Sequence, residues 1–114
     1  MASSRIPDPL KRRHVIESDQ SPAQALALAE AYLEEGRSLE AVIFLSKAEA
    51  SDRLAELRRE AVETGDAFLL RSVVGAQGEH ATSAEWSALA LAAEAAGKER
   101  YATDARRQAA RGEQ

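Results

Sequence analysis

The chain contains no cysteine. Disulfide staples, thiolate zinc sites and cysteine nucleophiles are therefore excluded. Aromatic residues are scarce, with one tryptophan, two tyrosines and two phenylalanines in 114 residues. Long hydrophobic runs are missing too: the longest, Ala41 to Leu45, falls far short of the roughly 20 residues that cross a bilayer. Positive charge is in deficit, 15 basic against 19 acidic residues, for a net charge of -4 and a pI near 5.2. That balance argues against general affinity for nucleic acid. The opening MASSRIPDPLKRR puts its charges after its few apolar residues, so no secretory leader is expected, and the chain reads as cytoplasmic.

What is abundant is alanine, about a fifth of the chain. An alanine-rich sequence with few aromatic and β-branched residues favours packed helices over sheets. At 12.3 kDa there is enough chain for a core without staples. The expected fold class is all-α.

Residues 1–20 differ from the rest. Pro7, Pro9, early serines and the basic cluster Lys11, Arg12, Arg13 and His14 describe an N-terminal arm, flexible or forming a short helix capped by Asp8. Residues 21–114 read as the helical domain. Ser21-Pro22-Ala23-Gln24 supplies a capping hydroxyl, a proline suited to the first helical position and a glutamine that reaches back. The first helix then runs to Glu35 and stops at Gly36. Ser38 is expected to cap a second helix through about Ala50. A third opens at Ser51 or Asp52 and ends near Thr64-Gly65, and Asp66 caps a fourth that Gly75 and Gly78 weaken. After the GEHAT loop, Thr82-Ser83-Ala84-Glu85 repeats the capping box and opens a fifth helix ending at Gly97. A polar sixth helix follows from Lys98 to about Ala110.

Overlaying these segments on Gly36, Gly65 and Gly97 exposes a repeat. Leu28, Ala29, Tyr32, Gly36, Ala41, Leu45 and Ala48 share relative spacing with Leu89, Ala90, Ala93, Gly97, Ala102, Arg106 and Ala109. Trp86 precedes the second set, and Leu54, Leu57, Ala61, Gly65, Leu70 and Val74 make a weaker middle copy. The pattern resembles the tetratricopeptide repeat, a helix-turn-helix unit of about 34 residues. The glycines lie 29 and 32 residues apart, no unit carries the family's closing proline, and Arg106 stands where an aromatic is usual. The resemblance implies an α-solenoid of three antiparallel helix pairs with a right-handed superhelical twist. Leu28, Tyr32, Ala41, Leu45, Leu57, Leu70, Trp86, Leu89 and Ala102 are then core.

In that family the first helix of each pair lines a concave groove that holds a peptide or helix. Carried onto this sequence, the resemblance makes Leu26, Glu30, Leu33 and Glu34 partner-binding in the first unit. Arg59 and Glu63 follow in the second, and Ser87, Leu91 and Glu94 in the third. Such an acidic and apolar surface suits a protein or peptide segment bearing basic and apolar residues. With only Arg59 basic, no clamp for a C-terminal carboxylate is expected. The alternative is a homo-oligomer joined through Phe68, Leu69 or Tyr101. A nucleic-acid contact through the basic arm is a weaker reading, since no aromatic is interleaved with it. The favoured reading of the arm is a solvated tail, with a latch over the acidic groove or a contact for acidic lipid as the alternatives.

Catalysis finds no support. His14 and His80 have no ligand-spaced carboxylate pair, so no metal site is expected. Ser21, Ser38, Ser51 and Thr82 are accounted for as helix caps rather than nucleophiles. GAQGE at Gly75 follows no strand and is no phosphate loop. The expectation is a non-enzyme without cofactors.

Overall fold

The computed structural model describes residues 21–112, all six of its elements being helices. The arm at residues 1–20, with its basic cluster, lies outside the described residues. In chain order the helices are α1 (Pro22–Glu34), α2 (Ser38–Lys47), α3 (Ser51–Thr64), α4 (Ala67–Gln77), α5 (Ser83–Ala95) and α6 (Glu99–Gly112). The chain divides into two compact units, Met1–Leu54 and Ala55–Gln114, with the division inside α3.

In the first unit the capping box forms as its residues dictate. The Gln24 amide donates to the Ser21 hydroxyl at 3.1 Å, and the Ser21 amide donates back to the Gln24 side chain at 3.0 Å. Ala25, Ala29 and Tyr32, spaced four and three residues apart, share a face of α1 and are fully buried as it packs along α2. From α2 come the fully buried Ala41, Phe44 and Leu45. The Tyr32 and Phe44 rings stack at 5.5 Å between centroids, inclined by 8°. Leu28, expected in the core, is only half-buried.

The turn between α1 and α2 corrects one expectation. Ser38 is the first helical residue of α2, not its cap; Arg37 holds the cap position without a capping side chain. The reason lies in Gly36, whose φ of 74° lets the Arg37 amide fold back onto the Tyr32 carbonyl at 2.9 Å. Arg37 both closes one helix and opens the next, so the turn is a residue tighter than a serine cap would allow. The same closure recurs at Gly65, where Asp66 donates to the Ala61 carbonyl, and at Gly97, where Lys98 donates to that of Ala93, each at 2.8 Å. Of the three following residues, Asp66 has the side chain to cap, and it accepts from the Leu69 amide at 3.0 Å. At the far end α2 stops at Lys47, short of Ala50, and Glu49 adopts a left-handed φ of 54°.

In the second unit α5 packs along α6. Trp86, Leu89, Ala90 and Ala93 of α5 are buried, as are Ala102 and Ala105 of α6. Helix α4 also touches α6, through an edge-to-face contact of Phe68 with Tyr101 and an Arg71–Asp104 ion pair at 2.6 Å. Leu57, Ala61, Ala67, Leu69, Leu70, Val73 and Val74 are buried as well. Gly75 does not end α4, which continues to Gln77 and closes on the left-handed Gly78. The second capping box forms at Thr82 and Glu85. Leu69, named above for self-association, is 3% exposed and leaves that reading.

Candidate functional site

Within the first unit, Leu26, Glu30, Leu33 and Glu34 follow the helical period along α1. Leu26 is 39% exposed, Glu34 is exposed, and Glu30 and Leu33 are half-buried. Glu30 accepts two hydrogen bonds from the Arg53 guanidinium, at 3.0 and 3.1 Å. That bidentate contact holds its carboxyl below the ordinary glutamate range. A carboxylate expected to greet a basic partner is thus already engaged by this chain's own arginine.

In the second unit Arg59 and Glu63 are four residues apart on α3, and both are exposed. Ser87, Leu91 and Glu94 lie four and three residues apart on α5, all exposed. Leu91 is 69% exposed, the highest value among the large apolar side chains described. Glu94 accepts from Arg106. The residue that departs from the aromatic of the repeat pattern therefore reaches outward to α5 instead of entering the core.

The densest polar cluster was not visible in the sequence. Arg58 of α3 donates to both carboxylate oxygens of Glu85, to the Gln77 side chain at 2.8 Å and to the His80 carbonyl at 3.2 Å. It also pairs with Glu79. These bonds tie α3 to the end of α4, the following loop and the start of α5. The Arg58 contact, helped by the Thr82 amide, pulls the Glu85 carboxyl below its ordinary value, and Glu85 raises that of the guanidinium. With Arg58 consumed by five hydrogen bonds to four residues, the cluster is scaffolding.

Among the described residues no charged side chain is buried, and no group of three or more His, Asp or Glu is placed to hold a metal ion. No described helix is long and apolar enough to cross a membrane. What these faces offer chemically is contact: exposed leucines beside carboxylates that are partly neutralised from within. Comparison with known proteins finds no matching family model, curated protein or solved structure.

Proposed function

We propose that this chain is a non-catalytic interaction module of three successive tetratricopeptide-like antiparallel helix pairs. In this reading α1, α3 and α5 are the ligand-facing helices, and the ligand is a peptide or helix segment with apolar anchors and some Lys or Arg. Leu91 carries the proposal. It is 69% exposed between Ser87 and Glu94, on a helix whose opposite face is packed. Covering such a leucine is worth about 1.5–3 kcal/mol, enough to make it an anchor point. Leu26 on α1, which overlays on Ser87 in the repeat, is 39% exposed.

Because Glu30 and Glu94 are engaged by Arg53 and Arg106, charge contributes selectivity here and apolar contact contributes most of the affinity. Rigid capped helices need little ordering on binding, which favours a module whose partner does the adapting. The competing reading is self-association through Phe68, which is 62% exposed beside Tyr101. Crosslinking capture of partners by the wild-type chain and by Leu91→Lys tests the proposal. Selective loss of captured proteins from the variant supports it. An identical captured set with both, or a particle whose mass doubles with concentration in light scattering, contradicts it.

A further inference from the structure

The second unit contains a cleft of about 440 Å³ bounded by α4, the loop after it, α5 and α6. We infer that this cleft binds a carboxylate carried on an apolar group. Its volume lies within the range of small-ligand sites, and its lining is graded in polarity. Val74 and Trp86, 7% and 6% exposed, form an apolar floor. Arg71, Gln108 and Arg111 supply donors at the rim.

Charge selects the ligand class. The Arg71 guanidinium lies 5.4 Å from the centre of the Trp86 ring and gives one donor to Asp104, leaving others for a further acceptor. Arg111, exposed at the rim, adds a second guanidinium. The carboxylate that lines the cleft, Glu79, is held by Arg58. The opening therefore presents net positive character over an aromatic floor. An anion with an apolar body satisfies both, and a planar carboxylate matches an arginine fork.

Gly75 is the second, independent observation. It lies inside α4 without a left-handed φ, and a β-carbon placed on it meets nothing within 4 Å. Glycine is a poor helix residue, and here neither turn geometry nor close packing calls for it. Gly75 lines the cleft, so any larger side chain would occupy the space a ligand needs. The glycine keeps the cleft open. This inference does not depend on the α5 face of the preceding proposal, since Leu91 is not part of the lining.

The chain's one tryptophan is Trp86, so its fluorescence reports on this cleft without labelling. The probes are 3-phenylpropanoate, the tripeptide acetyl-Leu-Glu-Phe-amide and the neutral 3-phenylpropanamide, each titrated to about 10 mM. Saturable fluorescence changes are expected with one or both carboxylates, at least about tenfold weaker with the neutral amide. Tighter binding of the tripeptide assigns the ligand to a protein segment, and tighter binding of the free acid assigns it to a small molecule. Arg111→Gln should weaken binding at least about fivefold. Gly75→Leu should abolish it while the helical circular-dichroism signal and melting temperature stay at or above wild type. Absence of saturation with both carboxylates, equal binding of the amide, or wild-type binding by Arg111→Gln overturns the inference.

Discussion

Arg58 and Glu85 meet through two hydrogen bonds, Nε to Oε2 at 2.7 Å and Nη2 to Oε1 at 2.8 Å. The same Glu85 oxygen that receives Nη2 accepts the Thr82 amide at 2.8 Å, completing the capping box of α5. One carboxylate thus starts a helix and fastens that helix to α3. Arg58→Ala strips both α5 and the preceding loop of this tie and leaves Glu85 partly buried without its cation. Chemical denaturation should register a loss of about 2 kcal/mol. Arg58→Lys should recover less than half of it, because an ammonium cannot form the paired fork.

The same pair makes stability depend on acid. The Glu85 carboxyl titrates lower in the folded chain than in the unfolded one, chiefly through Arg58. Its contribution is therefore complete above the unfolded glutamate value of about 4.3 and disappears as pH falls through the lowered folded value. Glu30, held by Arg53, acts in the same direction. Urea midpoints followed from neutral pH down through the carboxylate range should fall less steeply for Glu85→Gln than for wild type. Parallel curves would show that the pair is not coupled to folding.

Gly65 and Gly97 share a left-handed φ, 72° and 75°, but not their surroundings. A β-carbon on Gly97 meets nothing within 4 Å, whereas one on Gly65 would lie 2.5 Å from the Ala93 backbone nitrogen. Gly97→Ala should cost about 1–2 kcal/mol, the conformational penalty alone. Gly65→Ala adds a collision with helix backbone that no rotamer relieves, so its loss should clearly exceed that figure. Equal melting temperatures for the two variants would refute the close approach of α5 at this turn.

The Tyr32 hydroxyl is buried and has no hydrogen-bond partner among the described residues. The ring, by contrast, is well used, stacked on Phe44 and covered by Arg37, whose Cζ lies 5.0 Å from its centre. Tyr32→Phe keeps the stacking and removes an unsatisfied polar atom. It should leave stability unchanged or raise it by up to about 1 kcal/mol, whereas Tyr32→Ala should lose about 3–5 kcal/mol.

How far the sequence could be read depended on how local each feature is. Ser21 with Gln24, Thr82 with Glu85, and the glycine stops at Gly36, Gly65 and Gly97 rest on bonds within one turn, and the helix ends followed from them. Ser38 does not cap α2, because its position depends on the preceding helix's closure, which hands the cap to Arg37. Leu69 and Phe68 are adjacent apolar residues with opposite fates, 3% and 62% exposed, and only the packing of α4 separates them. The Arg58 cluster spans 19 to 27 residues of sequence, and no short-range pattern announces it. Arg53 engages Glu30 across 23 residues in the same way, a pairing that the helical period of α1 does not reveal. The cleft is illegible in the sequence for a related reason: Arg71, Trp86 and Arg111 come from three helices, and Gly75 reads locally as a weak point of its helix.

The proposal that the exposed face of α5 receives an apolar and basic segment is tested most directly by heteronuclear NMR. The labelled chain is titrated with an amphipathic peptide of alternating Leu and Lys turns. Saturable shifts at Ser87, Leu91 and Glu94, abolished in Leu91→Lys, are the predicted result. Shifts confined to Phe68 and Tyr101, or none at all, would contradict it.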